Sequence, residues 1–339
     1  MLYLDGSQGE GGGQILRTAL TLSAISGIPF TLTNIRAGRK TPGLRPQHMT
    51  AIQAAADICQ AEVDGVIIGS DMLVFTPTSA PLARSYEWDI QTAGAATLVL
   101  QTVLLPLALA DGESSLQVHG GTHVPHSPSA HYLRDVYLPV LLSMGIDVQL
   151  FIEVCGWVPQ GGGTLNVFIA GNAQPTGLDM RQRGQVERVF GTAIGCNLPS
   201  HIPQRMANRA TNLLTMVEVP IDVRPTRTRS ISTGAGIFLA VEYANGRGGF
   251  GALGRKGVPS EAVAEQAVTA LLHFHDSEAA VDEHLADQLI VAMVLAQGQS
   301  TLSTTTISRH LRTNIDVVRA FAERPIDIDE RRRLVTIGE

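Results

Sequence analysis

The sequence of 339 residues contains few cysteines and almost no lysine. Cys59, Cys155 and Cys196 are far apart and odd in number, which excludes a disulfide framework or a zinc pattern and favours a reducing, cytoplasmic location. Lys40 and Lys256 are the only lysines among 25 basic residues, and the net charge is −6. No overall positive field therefore attracts nucleic acid, so any polynucleotide must be held by a local basic site.

Long uninterrupted apolar runs are also missing. The longest apolar stretch, residues 95–110, contains Gln101 and Pro106 and is too short to span a bilayer, so it predicts a buried helix. The first residues, LYLDG, indicate a strand and do not have the basic and apolar character of a signal segment. We therefore expect a cytoplasmic protein without membrane association, and both monomer and homodimer stay open.

Three segments of the chain follow one pattern. Each contains an apolar helix ending near glycine, a β-branched strand, an amphipathic helix and a hairpin, and each can be preceded by a short strand, LYLD, YEWDI or LDMRQ. The pattern predicts an α/β fold of three β-α-β-α-β-β units, each a four-stranded sheet with two helices on one face. These units would form a body from residues 1–183 and 278–339.

Residues 184–277 break this pattern. They predict a separate, smaller α/β domain inserted into the third unit. Its predicted elements are a helix at 200–218, a strand at 236–244, a glycine-rich turn at 245–257 and a long helix capped by Ser260.

The stretch GSQGEGGGQILR, residues 6–17, is similar to loops that bind phosphate at the start of a helix. It lacks the lysine of a P-loop, its glycine spacing does not fit a dinucleotide fold, and Glu10 lies inside it. Four cations within residues 36–45 indicate either a solvated loop or a polyphosphate site. Arg17, one turn into the first helix, would point to the same place.

Three further motifs carry polar residues. His310 would end a Thr/Ser-rich strand before a helix, where a neutral imidazole is a competent nucleophile, although a surface histidine is the alternative. Asp287 and Gln288 would open an apolar helix, either as an ordinary polar first turn or as a hydrogen-bonding edge for a heterocycle. The three histidines of residues 120–131 favour a proline-rich loop over a metal cluster, and the glycines at 161–163 predict a tight hairpin turn.

Taken together, these motifs resemble those of the RNA 3′-terminal phosphate cyclase family. The resemblance rests on LDGSQGEGGGQILRTALTLS, IRAGR…PGLRPQH, TLVLQTVL, GGT…P, the GGG turn, EHLADQL and RHLRTNI. It implies the same three-unit fold with an inserted domain, and an ATP-dependent reaction on RNA with a 3′-phosphate end. His310 would attack the α-phosphate of ATP and become adenylated. The AMP would pass to the RNA, giving RNA(3′)pp(5′)A, and the 2′-hydroxyl would displace it to close a 2′,3′-cyclic phosphate.

The resemblance also implies where ATP and a divalent cation, Mg²⁺ or Mn²⁺, would bind. Glu10 would be the protein ligand of the metal. Arg17, Arg36 and Arg39 would bind the triphosphate, with a hydrogen bond from Gln47. The base would lie near Gln101, Pro128, His284, Leu285, Ala286, Asp287 and Gln288. His284 stands where the family typically has an aromatic residue that stacks on adenine, so the sequence predicts weaker or pH-sensitive nucleotide selectivity.

A non-catalytic, cyclase-like protein of ribosome assembly is the alternative function. Such relatives lose the histidine and much of the nucleotide pocket, whereas His310, Glu10 and Arg17 are all present here. An enolpyruvyl transferase is built from six similar units in two lobes, for which 339 residues are too few. A pure RNA-binding module is disfavoured by the net charge of −6. RNA contact through the predicted turn at 245–257 is a further hypothesis.

Overall fold

The protein is described by a computed structural model that covers residues 1–338. Its strands form four sheets of four strands each, and every sheet combines a parallel pair with antiparallel pairs. The predicted α/β class is therefore confirmed. Within residues 1–338, no helix combines the length and the apolar character that crossing a membrane requires.

The first sheet and its helices bring the glycine-rich loop beside the cationic loop. The elements are β1 (Leu2–Asp5), α1 (Gln14–Ser26), β2 (Phe30–Thr33), α2 (Pro46–Cys59), β3 (Glu62–Asp64) and β4 (Leu73–Thr76). The strand order is β1-β2-β4-β3, and β1 is parallel to β2. Parallel strands end at the same edge of a sheet, so the loops after β1 and β2 are neighbours. The Gly38 N–H accordingly donates to the Gly11 carbonyl at 3.1 Å.

The second sheet has the same order of strands along its width, β5-β6-β8-β7. The elements are β5 (Ser85–Asp89), α3 (Ala96–Leu109), β6 (Ser114–Gly120), α4 (Ala130–Tyr132), a π-helical turn (Leu133–Tyr137), α5 (Leu138–Ser143), β7 (Val148–Val154) and β8 (Gly163–Ile169). The buried helix expected at 95–110 is confirmed as α3, with Pro106 inside it. The hairpin at 161–163 is present, but its loop runs over residues 155–162 and is no tight turn. Gly161 and Gly162 adopt φ values of 76° and 69° there, which favour glycine.

After β9 (Asp179–Met180), residues 184–277 form a separate sheet with the strand order β11-β10-β12-β13. We call residues 184–277 the insert. Its elements are β10 (Val186–Cys196), α6 (His201–Leu214), a 3-10 turn (Thr215–Val217), β11 (Ile221–Thr228), β12 (Gly234–Tyr243), β13 (Gly246–Leu253) and α7 (Ser260–Asp276). Helices α6 and α7 pack on each other and on this sheet, around a separate cluster of buried apolar side chains.

Two predictions for the insert are wrong. Residues 246–253 form strand β13 and do not belong to a turn. Glycine disfavours strands, but here close packing requires it, because a Cβ on Gly248 would lie 2.7 Å from Phe274 and one on Gly249 would lie 2.7 Å from Tyr132. The second error concerns α7, whose N-cap is Pro259, so Ser260 is not a capping residue.

The remaining elements complete a third sheet with β9. They are α8 (Glu283–Leu295), β14 (Ser300–Ser303), α9 (Arg309–Phe321), β15 (Ile326–Asp329) and β16 (Leu334–Ile337). The strand order is β15-β16-β14-β9, and β9 is parallel to β14. Helix α9 packs on α1, where the Thr18 hydroxyl donates to Asn314 Oδ1 at 2.6 Å. Two helices almost three hundred residues apart in the sequence therefore pack together, and one large apolar core runs beneath all three of these sheets.

The predicted setting of His310 is wrong. Strand β14 ends at Ser303, and His310 is the second residue of α9. The side chain of Ser308 accepts a hydrogen bond from the Leu311 N–H and begins this helix. His310 therefore lies in the first turn of a helix, where unpaired N–H groups and the helix dipole disfavour a positive charge.

Candidate active site

A cavity of about 470 Å³ opens between the first turns of α1, α8 and α9 and the side of α3. We call it the first cavity. Nine of the residues predicted for the site line it: Glu10, Arg17, Arg39, Gln101, Pro128, His284, Asp287, Gln288 and His310. The structure thus brings together side chains that are up to three hundred residues apart in the sequence.

Four predicted residues do not line the first cavity. The side chains of Leu285 and Ala286 are fully buried in the core, because the helical period turns them away from the polar face of α8. The Arg36 guanidinium donates to two carbonyls of its own loop, at 2.9 and 2.7 Å. The Gln47 side chain accepts a hydrogen bond from the Ala95 N–H at 2.9 Å, at the head of α3. Arg36 and Gln47 hold neighbouring loops in place.

His310 presents one ring nitrogen to two oxygen atoms. Its Nδ1 is 2.8 Å from Gln14 Oε1 and 2.7 Å from Glu10 Oε2. Because the Gln14 oxygen accepts a hydrogen bond and the nearby Glu10 carboxylate is negatively charged, the Nδ1–H tautomer is favoured and Nε2 keeps its lone pair. Burial lowers the pKa of His310; the Asp287 charge opposes this, and the charge of Arg39 lowers the pKa further. The imidazole is therefore neutral near pH 7.

Gln14 connects His310 to a buried carboxylate. As the first residue of α1, it is itself buried, and its Nε2 donates to Asp287 Oδ1 at 2.5 Å. Burial raises the pKa of Asp287, whereas the hydrogen bond from Gln14 and the nearby cations lower it. Burial lowers the pKa of Arg17 to about 10, with the Asp287 charge opposing that change. Sequence reasoning missed Gln14, although its position three residues before Arg17 places both on one helix face.

The Glu10 carboxylate has one engaged and one orphaned oxygen. Its Oε1 accepts from the Arg39 guanidinium, whereas Oε2 is buried without a hydrogen bond of acceptable geometry. Within residues 1–338, no group of three or more His, Cys, Asp or Glu side chains can hold a metal by itself. A divalent cation at Glu10 would therefore also need oxygens from a bound phosphate ligand, which is the coordination that Mg²⁺ prefers.

The glycines before α1 leave room for side chains that pack over the backbone. A Cβ on Gly12 would lie 2.7 Å from the Arg39 guanidinium, and one on Gly13 would lie 2.8 Å from His48 Nε2. Burial lowers the pKa of His48 to about 3, and the charges of nearby arginines lower it as well. The buried imidazole therefore adds no charge, and the positive potential of the site comes from arginines.

The polar head of α8 is fixed by a buried carboxylate that sequence reasoning missed. Asp282 Oδ1 accepts from the N–H groups of His284 and Leu285 at 2.9 and 3.0 Å. The Tyr132 hydroxyl and the Gly249 N–H also donate to this carboxylate, at 2.9 and 3.0 Å. An aspartate directly before an apolar helix is a readable N-cap signal. Across the cavity, Gln101 Nε2 donates to Gln288 Oε1 at 2.6 Å.

The histidines of residues 120–131 do not form a metal site. His123 Nε2 lies 2.8 Å from His131 Nδ1, and both rings are buried beside Phe238. Burial lowers the pKa of His131 to about 4, and it also lowers the pKa of His123 well below the ordinary imidazole value. His126 is exposed, lines the first cavity and adopts a φ of 64°, which is uncommon for a residue other than glycine.

Comparison with known proteins gives a consistent match over nearly the whole chain. The family model described as RNA 3′-terminal phosphate cyclase matches residues 8–328. A protein named RNA 3′-terminal phosphate cyclase from Nostoc sp. (strain PCC 7120 / SAG 25.82 / UTEX 2576) is 48% identical over 344 residues, covering 100% of this chain and 99% of that protein. The protein of that name from Gloeothece citriformis (strain PCC 7424) is 48% identical, with coverages of 99% and 98%. The one from Methylococcus capsulatus (strain ATCC 33009 / NCIMB 11132 / Bath) is 44% identical, with coverages of 97% and 93%.

Proposed function

Because this chain belongs to the RNA 3′-terminal phosphate cyclase family, we propose that it is a ligase-type enzyme that uses ATP to convert an RNA 3′-phosphate into a 2′,3′-cyclic phosphate. The observation that carries the proposal is the meeting of His310 with Glu10, Arg17 and Arg39 in one cavity. That set combines a neutral nucleophile, a carboxylate for a cation and positive charge for phosphates. A non-catalytic relative would not need the set.

In the first step, His310 Nε2 donates its lone pair to the α-phosphorus of ATP. The bond from that phosphorus to the bridging oxygen breaks, and pyrophosphate leaves. The ring becomes positively charged as the P–N bond forms, and its Nδ1–H faces acceptors on Gln14 and Glu10 that stabilise this charge. Arg17 and Arg39 line the same cavity, where they can bind the negative charge that accumulates on the leaving group.

Two further transfers complete the reaction. An oxygen of the RNA 3′-phosphate attacks the phosphorus of the adenylated histidine, the P–N bond breaks, and the electron pair returns to Nε2 of His310. The 2′-hydroxyl then attacks the 3′-phosphorus of RNA(3′)pp(5′)A, loses its proton to solvent, and AMP leaves. Covalent catalysis of this kind divides a difficult displacement into easier steps, because AMP is a better leaving group than a phosphate oxygen.

The residues present fit a divalent cation, Mg²⁺ or Mn²⁺. The orphaned Oε2 of Glu10 is the observation that supports this, since one carboxylate plus phosphate oxygens suits such ions. Glu10 would hold the cation. When bound, the cation would neutralise phosphate charge.

The proposal is tested by adenylation of the protein itself. Wild type is incubated with ATP labelled on the α-phosphate and with Mg²⁺, and an acid-labile, alkali-stable protein adenylate is expected. His310→Ala should form none. His201→Ala, which removes an exposed histidine outside the cavity, should behave as wild type. The assignment fails if wild type forms no adenylate or if His310→Ala forms as much.

We also propose that the three sheets of the body, residues 1–183 and 278–339, are copies of one β-α-β-α-β-β unit, and that residues 184–277 are a separate domain. Their common strand order and parallel first pair support the first statement. The insert's own sheet and apolar cluster support the second. A cytoplasmic location stays a prediction.

A further inference from the structure

A second cavity, of about 430 Å³, adjoins the first. The two cavities share the wall formed by His126, Ser127, Pro128, Tyr132 and His284. Much of the remaining wall of the second cavity comes from β12, β13 and α7 of the insert. The insert therefore forms one side of a cavity that adjoins the candidate active site.

The chemistry of the second cavity differs from that of the first. Among residues 1–338, no Arg or Lys side chain lines it, whereas the acidic residues Asp282 and Glu283 do. Phosphate is therefore disfavoured there. The wall instead offers flat rings: Phe250 is half-buried against Phe274, with ring centroids 5.4 Å apart, and His273 is exposed on α7. Such rings stack on nucleobases with little regard to base identity, and the volume suits a nucleoside.

The edge of β13 that faces away from β12 adds hydrogen-bonding groups to this cavity. The N–H groups of Arg247 and Gly249 point away from β12, because they donate to the Ala280 carbonyl at 2.9 Å and to Asp282 Oδ2 at 3.0 Å. Alternate residues of an antiparallel strand direct both backbone groups to the same side, so the N–H and C=O of Gly251 also point outward. Gly251 lines the second cavity, where this donor and acceptor match the edge of a base.

We propose that the second cavity binds the base of the 3′-terminal nucleoside of the RNA. The inference rests on the proposed function, in which the RNA 3′-phosphate reacts at His310. Arginines in the first cavity, and aromatic rings without any Arg or Lys in the second, suit the phosphate and the base of a nucleoside 3′-phosphate. Of the residues expected near the adenine of ATP, Gln101 and Gln288 line only the first cavity, whereas Pro128 and His284 belong to the wall that the two cavities share. The adenine would lie on the Gln101 and Gln288 side of this wall, and the RNA base on the other side. The insert thereby becomes part of the substrate site.

The test compares two RNAs and two variants. One RNA is a short single strand that ends in uridine 3′-phosphate, and the other is the same strand without the terminal base. Their binding is measured by fluorescence anisotropy without ATP, and adenylation of His310 is measured separately without RNA. Phe250→Ala should weaken binding of the complete RNA about tenfold, as expected for loss of one base-stacking contact, and His273→Ala should weaken it several-fold. Neither variant should change binding of the abasic RNA or the rate of adenylation.

His201→Ala is the matched control, because it removes an exposed histidine of the insert outside both cavities. An unchanged adenylation rate shows that the variants are folded, and His273→Ala, at an exposed position, keeps the test open if Phe250→Ala does not fold. The inference is overturned if the variants weaken binding of both RNAs equally or weaken binding of neither RNA. It is also overturned if the rate of adenylation falls, because that result would assign the cavity to ATP. Absence of adenylation in wild type refutes the proposed function instead, and the binding comparison still decides this inference.

Discussion

On the proposed mechanism, replacing Gln14 separates the positioning of His310 from the binding of ATP. The Gln14 side chain accepts from His310 Nδ1 at 2.8 Å and donates to Asp287 Oδ1 at 2.5 Å. Gln14→Leu keeps the side-chain volume and removes both hydrogen bonds. The imidazole then loses the hydrogen-bond acceptor of its Nδ1–H, and the buried Asp287 loses a donor.

The structure limits the size of the effect. A hydrogen bond to a charged group contributes roughly 1.5–3 kcal/mol. Glu10 Oε2 remains 2.7 Å from His310 Nδ1 and still favours the reactive tautomer, so activity is reduced and not abolished. We therefore expect adenylation about 10- to 150-fold slower, the factor that corresponds to this energy range. The KM for ATP should change little, because Gln14 acts through His310.

A second substitution at Gln14 should make the activity depend on pH in a way that differs from wild type. In Gln14→Glu, a protonated carboxyl can donate to Asp287 as the amide does, whereas an ionised one repels that carboxylate. Activity of this variant should fall as pH rises. Activity of wild type should instead rise with pH until His310 is neutral, and this occurs below the ordinary imidazole range because burial lowers the pKa of His310.

The assay is single-turnover adenylation at saturating ATP, followed by rapid quench across the pH range. Gln53→Leu is the control, since Gln53 donates to Asp57 at 2.7 Å on the exposed face of α2, far from the first cavity. An unchanged rate in Gln14→Leu would refute the reasoning. So would a loss confined to KM, or a pH profile of Gln14→Glu identical to that of wild type.

Three further predictions concern the metal, the pH range and stability. Glu10→Gln should raise the Mg²⁺ concentration needed for half-maximal adenylation, because an amide is a weaker ligand than a carboxylate; an unchanged Mg²⁺ titration would remove the metal role. Arg39→Gln should move the acid limb of the adenylation profile to higher pH, because the Arg39 charge lowers the pKa of His310, and a shift to lower pH would contradict this. Leu285→Ala should lower the free energy of unfolding by about 2–5 kcal/mol in urea denaturation, because the side chain is fully buried, and a change below about 1 kcal/mol would show that it does not pack as described.

Much of the fold could be predicted because it depends on the local periodicity of apolar and polar residues. The apolar run at 95–110 became α3, and the cations after β2 came to lie beside the glycine-rich loop, as parallel pairing of β1 and β2 requires. Six of the nine predicted residues that line the first cavity belong to motifs that stand out by residue type and spacing, whereas Gln101, Pro128 and His284 were predicted only from the resemblance to the cyclase family. Such local patterns can be recognised without knowing which distant residues they contact.

The remainder depended on contacts that sequence spacing does not reveal. Strand β13 contains glycines that normally indicate a turn, and only the packing of Tyr132 and Phe274 against them explains the strand. The role of Gln14 could not be predicted, because it depends on contacts with His310 and Asp287, which lie on two other helices. The motif at 284–288 predicted Leu285 and Ala286 near the base together with Asp287 and Gln288, but the helical period directs the first two side chains into the core.

The junction of α1 with α9, held in part by the bond between Thr18 and Asn314, has a consequence for biosynthesis. A ribosome makes the glycine-rich loop long before it reaches His310. During elongation the face of α1 that packs on α9 has no partner, so a stalled or truncated chain exposes apolar surface that invites capture by chaperones. Such a fragment lacks the nucleophile altogether. On the proposed mechanism such fragments cannot be adenylated by ATP, so activity requires that His310 has been synthesised and that α9 has packed on α1.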